Sequence, residues 1–277
     1  MAGRGSGPDF VESLARGLDV LAGFGPQRPT MTLSEVATAA GLARPTARRL
    51  LLTLEELGYV RVRDGAFSLT PRVIGLGMAY VGSLGLWDVA RPHMEDLVGR
   101  INESVSLAQL DGSDIVYTAR VSVPKIIALR VEIGTLFPAA QTSKGKVLLA
   151  ALPRGRVAEV LEMPSRSGLA PHSGRSHEQL MDELSQVRAR GWALADEELA
   201  PGVRSVAVPV RDGDGEVRAA MSVTVHAAET STQTLVDEHL PHLVRAASAV
   251  SADWALWQAR PHAEVTPPCG RAGTDRG

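Results

Sequence analysis

Helical spacing governs the first sixty residues of this chain, and strict alternation then replaces it for about ten. Val11, Leu14, Leu18 and Leu21 recur every three or four positions and predict an amphipathic helix over 9–24, with Asp9 and Glu12 placed as a capping box and Gly25-Pro26 closing it. This helix is expected to pack under the elements that follow. Thr32 and Glu35 stand in the same T-x-x-E relation, which starts a second helix carrying Leu33, Val36, Ala37 and Ala40. Gly41 supplies the positive φ that turns the chain, and Arg44-Pro45 opens a third helix, because proline is tolerated in a first turn. There Ala47, Leu50, Leu51, Leu54 and Leu57 form one stripe, with Pro45, Arg48, Arg49 and Glu56 turned away from it. After Gly58 the period falls to two. Val60 and Val62 are expected inward and Arg61 and Arg63 outward, with Asp64-Gly65 as a two-residue hairpin turn. The pattern predicts a winged helix-turn-helix over 9–70.

Outward arginines on such a helix can meet guanine edges in the major groove or clamp phosphates, and arginines on a wing can meet the DNA flank. The candidate DNA-contacting residues are therefore Pro45, Thr46, Arg48, Arg49, Arg61 and Arg63. Two adjacent surface arginines are ordinary by themselves. It is the order of capping box, glycine turn, leucine stripe and Arg-flanked hairpin that points to a double-stranded DNA operator. Residues 44–72 hold six arginines against three carboxylates, although the whole chain has a net charge of −2.

Downstream, Thr70-Pro71 starts a helical stretch to about residue 83. Gly75, Gly77, Gly82 and Gly85 lower its helix propensity but permit another backbone to approach closely. Residues 71–85 read as a linker and dimerisation helix that meets its copy in a partner subunit. A second domain, 86–258, opens with a helix to about 102. Strands are expected at 105–110, 115–121 and 126–133, helices at 143–152, 154–163 and 177–190, strands at 192–196, 205–211 and 216–226, and a helix from 234 to about 257. Strands, then helices, then strands argue α+β and not a doubly wound sheet. Residues 1–8 and 259–277 are polar and rich in Gly and Pro, the composition of disordered tails.

With 277 residues and 44% hydrophobic content, the chain can bury two cores. No run is long enough to span a membrane and no signal-peptide pattern opens the chain, so the cytoplasm is the expected compartment. The single cysteine, Cys269, lies in the tail, which excludes a disulfide framework. Lys144-Gly145-Lys146 lacks the remaining elements of a phosphate loop, and His239-Leu-Pro-His242 lacks the partners of a metal site, so neither a cofactor nor a metal is expected. No nucleophile elbow marks a catalytic serine. The alternative to a DNA-binding regulator is an enzyme that uses Lys144 for Schiff-base chemistry on a keto acid.

Ser13-Leu-Ala-Arg-Gly-Leu18, the helix-turn-helix, the Asp64-Gly65 wing, Arg190-Gly-Trp192, Asp196-Glu-Glu198 and Gly202-Val-Arg-Ser205-Val-Ala-Val-Pro209 together resemble the IclR-type transcriptional regulators. Ala47-Arg48-Arg49-Leu50, Leu84-Gly-Leu-Trp87, Pro92-His93 and Ala139-Ala-Gln-Thr142-Ser143 are similar to the PcaR/PobR-like subgroup, which controls β-ketoadipate-pathway genes for aromatic-acid catabolism. The resemblance implies a linker that helps form a homodimer or tetramer and a GAF-like effector-binding domain for a small organic acid. It also implies a pocket lined by Gln141, Thr142, Ser143, Lys144, Ser205, Ser222 and Thr224, with a wall from 124–129 that includes Leu129. The strand reading agrees, since a period of two puts Ser222 and Thr224 on one face. Lys144 departs from the subgroup, and it reads either as a partner for a ligand carboxylate or as a solvated lysine at a helix start. Arg204, after three carboxylates, reads as one half of a structural ion pair.

Overall fold

The computed structural model describes residues 7–124, 131–169 and 176–260, with the backbone alone for 81–84. The chain divides between Leu84 and Gly85 into two compact units. In the first, α1 (Glu12–Ala22), α2 (Leu33–Ala39) and α3 (Arg44–Glu56) are followed by the hairpin β2 (Val60–Arg63) and β3 (Ala66–Leu69) and by α4 (Arg72–Leu84). The Thr32–Glu35 capping box forms, Gly41 takes φ +64°, and Asp64 and Gly65 take φ +52° and +77°, the two positive values a tight hairpin turn demands. A strand too short to show alternation, β1 (Thr30–Thr32), joins the wing as β1-β3-β2. Val20, Phe24, Met31, Val36, Leu51, Leu54, Val60 and Phe67 form the core.

Three expectations for this unit need correction. Val11 is the N-cap of α1 and no side chain caps the helix; Glu12 instead receives the Arg16 Nε at 2.7 Å, one turn on. The core is filled by Val20 and Phe24, so Val11, Leu14 and Leu18 remain 58, 64 and 56% exposed. Val62 is also exposed: it lies on the edge strand β2, while Phe67, its partner across the ladder on the central strand β3, stays in the core.

The second unit is built on a six-stranded antiparallel sheet of order β6-β5-β4-β9-β8-β7. Its strands are β4 (Ser104–Asp111), β5 (Asp114–Val121), β6 (Leu136–Pro138), β7 (Ala193–Asp196), β8 (Val203–Arg211) and β9 (Val217–His226). The edge strand is therefore Leu136–Pro138: the 126–130 part of the expected strand lies outside the described residues, and Val131–Ile133 are not strand. Pro138, which cannot donate to a ladder, is tolerated at the end of an edge strand. One face packs on α5 (Leu86–Ile101) and on α10 (Leu240–Gln258), which follows the short α9 (Thr232–Thr234) and a π-helical turn, Leu235–His239. The other face carries α6 (Ser143–Ala151), and α8 (His177–Arg190) packs on α6 in turn; α7 is Arg154–Glu162.

The seat of α6 is set by register. Ala195, Ser205, Thr224 and Ser104 form one row across the sheet, Ala193, Ala207, Ser222, Ser106 and Arg120 the next, and Pro209, Ala220, Ala108 and Tyr117 a third. Most of these side chains are small, so the helix can descend until Ser143–Ala150 are all buried. On its other side, a Cβ added at Gly145 would stand 2.0 Å from the Ala139 carbonyl oxygen. Gly145→Ala is expected to destabilise the protein by about 1–3 kcal/mol, the cost of overpacking a filled interior, as measured by urea denaturation. An unchanged midpoint would show that α6 is not held at this depth.

Candidate functional site

In the second unit the N-terminus of α6 and the end of the small-residue face enclose a cavity of about 250 Å3. Gln141, Thr142 and Lys144 come from the helix start, Ser205 and Thr224 from β8 and β9, and Tyr117 and Arg120 from β5. Val131, Ala195, Leu199, Pro201 and Val203 make its apolar walls, and Glu103 and His226 also reach it. Thr142 caps the helix by accepting the Gly145 N–H at 3.0 Å, which aims the positive end of the helix at the cavity.

Tyr117 and Arg120 differ by an odd number of positions, so uniform alternation would put them on opposite faces. The β4–β5 register shifts between Leu107 and Ala108: Ala119 pairs with Leu107 and Tyr117 with Ala108, which leaves Thr118 as the extra residue of a bulge. Beyond the bulge the phase is reversed. Both side chains thus face the cavity, which a period-two reading misses.

Lys144 is 2% exposed, so it is not a solvated lysine. Its Nζ donates to Ser222 Oγ at 2.7 Å, Tyr117 OH at 2.9 Å and Ser106 Oγ at 3.1 Å, and lies 4.2 Å from the Tyr117 ring centre. Burial lowers its pKa, opposed by Tyr117 and reinforced by the positive charge of Arg120. Burial likewise lowers the pKa of half-buried Arg120. Ser222 is fully buried behind Lys144, and Ser143 Oγ pairs with Ser205 Oγ at 2.8 Å. Those two of the expected pocket residues therefore sit behind the wall, because hydroxyls on the small-residue face are consumed in seating α6. Gln141, Thr142, Lys144, Ser205 and Thr224 do line the cavity; Leu129 lies outside the described residues.

Lys146 has a different role. Its fully buried ammonium donates to Glu198 Oε1 at 2.6 Å, Glu183 Oε1 at 2.7 Å and the Leu194 carbonyl at 3.1 Å, tying α6 to α8, β7 and the loop after β7. Arg204 bridges Asp196 at 2.6 Å and the Thr230 carbonyl at 2.7 Å, a structural clasp.

In the first unit, Pro45, Arg48 and Arg49 are exposed on α3, while Thr46 is half-buried. Thr46 and Arg49 line a groove against α1, and Arg48 shares the outer face with Leu52, which is 43% exposed. On the wing, Arg63 is exposed beside the turn, and Arg61 Nε donates to Ser68 Oγ of the neighbouring strand at 3.1 Å.

A winged helix-turn-helix with an arginine-bearing third helix, followed by a sheet-and-helix domain with a cationic cavity, defines a DNA-binding regulator of the sensor type. The chain belongs to the IclR family: the model of the bacterial transcriptional regulator IclR C-terminal domain matches residues 78–252, and that of the IclR helix-turn-helix domain residues 13–64. It is a transcriptional regulator and not an enzyme. The Pca regulon regulatory protein of Pseudomonas putida is 35% identical over 86% of this chain and 82% of its own length, which agrees with the PcaR/PobR-like resemblance. A crystal structure from Rhodococcus sp. RHA1, described as a transcriptional regulator, has a TM-score of 0.76 at 43% identity, covering 90% of this chain and all of the other. An IclR homologue from Microbacterium hydrocarbonoxydans complexed with 4-hydroxybenzoate has a TM-score of 0.73 at 27% identity, covering 88% of this chain and 99% of the other. Among the described residues no helix is long and apolar enough to cross a membrane.

The lowered pKa of Lys144 has a thermodynamic sign. Between its folded value and the ordinary lysine value of 10.5 the unfolded chain binds more protons, so stability rises with pH across that window. Lys144→Met should flatten this rise in urea melts taken from neutral pH to about pH 10. An equal slope in both proteins would show that Lys144 does not carry it.

Proposed function

We propose that this regulator senses a small aromatic or β-keto carboxylate in the cavity of its second unit and controls genes of aromatic-acid catabolism. The observation that carries the reading is the pairing of two cations, Lys144 and Arg120, against one carboxylate, Glu103, with apolar walls in a cavity of about 250 Å3. That volume lies just below the ~300–1,000 Å3 of drug-sized sites and suits a small metabolite. The positive helix end and the cations favour an anion, and Val131, Leu199 and Pro201 favour a ring or short carbon chain. The Pca regulon relative and the 4-hydroxybenzoate-bound homologue support this class of ligand.

On the DNA side, Arg48 and Arg49 with Pro45 and Thr46 enter the major groove, and Arg61 and Arg63 hold the flank. Two copies present two recognition helices to half-sites about one or more helical turns apart. The helix over 71–85 is the proposed linker where the copies meet. Ile74, Leu76, Met78 and Tyr80 on α4 and Leu14 and Leu18 on α1 are each more than half exposed, and so many large apolar side chains facing water support self-association. Ligand binding shifts the DNA-binding equilibrium by favouring one conformer over another.

Fluorescence anisotropy on the DNA upstream of the protein's own gene, with 4-hydroxybenzoate, protocatechuate or β-ketoadipate, tests the whole reading. One acid should change the operator affinity, and indifference to all three rejects the effector class. In the same assay Arg48→Ala or Arg49→Ala should cost roughly 1–3 kcal/mol if the side chain reads a base. Wild-type affinity in both variants rejects the recognition-helix assignment. Light scattering should return a dimer or tetramer, and a monomeric mass at working concentration defeats the linker proposal.

A further inference from the structure

The hydrogen-bond arithmetic around Lys144 specifies how the ligand is recognised, and it rests on the carboxylate reading of the cavity. We propose that Lys144 is a positioning residue: it turns the Tyr117 hydroxyl into an obligate donor, so that Tyr117 and Arg120 form a donor-only wall that selects an ionised carboxylate over its neutral amide.

An ammonium has three N–H donors and no acceptor. Lys144 spends all three on Ser222 Oγ, Tyr117 OH and Ser106 Oγ. A ligand oxygen could take one only by displacing a hydroxyl already in place. The cation therefore reaches the ligand through an intermediary. Ser106 and Ser222 lie 3.2 Å apart, hydrogen-bonded to each other and buried, and neither lines the cavity. Tyr117 does line it. A phenol normally offers both a donor and an acceptor face, but the Tyr117 oxygen already accepts from Lys144, so its proton is the face left for the cavity. Polarisation by the adjoining ammonium strengthens that donor.

Arg120 completes the wall. The bulge at Thr118 brings it to the same sheet face, and a guanidinium has no acceptor. A carboxylate, which only accepts, satisfies both groups. A carboxamide of the same shape sets an NH2 against donors on one of its two arms, and a buried donor facing a donor is penalised by desolvation without return. Selectivity here comes from the absence of an acceptor on Tyr117 and Arg120 themselves, while Glu103 and Gln141, which also reach the cavity, can accept elsewhere along it.

The test uses full-length protein and calorimetric titration with 4-hydroxybenzoate and 4-hydroxybenzamide, which share ring and hydroxyl. Wild type should prefer the acid by about 100-fold. Tyr117→Phe should lower the affinity for the acid about 10-fold while barely changing the affinity for the amide. Lys144→Met should bring the acid-to-amide ratio to within about 10-fold of unity. Mere loosening of the fold weakens both ligands together and preserves the ratio, so an unchanged ratio in both variants overturns the proposal. A ratio lost in Lys144→Met but kept in Tyr117→Phe overturns the positioning role, since Lys144 would then meet the carboxylate directly. If wild type binds the amide as tightly as the acid, the donor-only wall is wrong while the ligand site stands. If wild type binds neither probe, and neither protocatechuate nor β-ketoadipate, the carboxylate reading itself falls, and this inference with it.

Discussion

The depth at which α6 sits against its sheet governs the second unit. A helix buried along Ser143–Ala150 needs a partner surface without bulk, and the rows of Ala, Ser and Thr across β7, β8, β9 and β4 supply one. It also needs a notch on its other side, which Gly145 provides against the Ala139 carbonyl. Once seated so deeply, the helix carries two lysines into the interior. An unpaired charge there would cost several kcal/mol, so the surrounding oxygens are a condition of the packing and not an embellishment of it.

The two lysines meet that condition in opposite ways. Lys146 is matched by the carboxylates of Glu183 and Glu198, so its charge is cancelled close by and its effect is to fasten elements together. Lys144 is hydrogen-bonded to three neutral hydroxyls, which satisfy its geometry but leave its charge in place. One helix turn thus holds a rivet and a source of field. The fastening by Lys146 extends to Glu198, next to Leu199–Gly202, which wall the cavity. The same helix therefore positions both the floor of the cavity and one of its sides.

Periodicity made much of this legible. The Thr32–Glu35 box, Gly41, the Asp64-Gly65 turn and the helix over 177–190 depend on local chemistry, and local chemistry is written in short spans of sequence. The residue pattern also placed a helix from Ser143, and the family resemblance implied that its start, with Ser205 and Thr224, faces a pocket. What escaped depends on partners distant in sequence. The three-residue strands β1 and β6 exist only through their neighbours. Leu14 and Leu18 looked like core because amphipathicity marks a face without naming what it meets, and Val20 and Phe24 fill the core instead. Ser222 was expected on the wall, but a strand pattern cannot tell that a lysine from another element lies over it.

The unpaired Thr118 adds one residue to β5 without adding one to its neighbour, and so acts as a phase shifter in a two-state repeat. Upstream and downstream segments of the same strand obey opposite parities, which allows one strand to deliver an aromatic hydroxyl and a guanidinium to a single interior. In a sheet without that extra residue, one of the two would face α5 and α10, where a guanidinium has no place among apolar side chains. A ligand site that needs two such groups from one strand is therefore tied to an irregularity in counting.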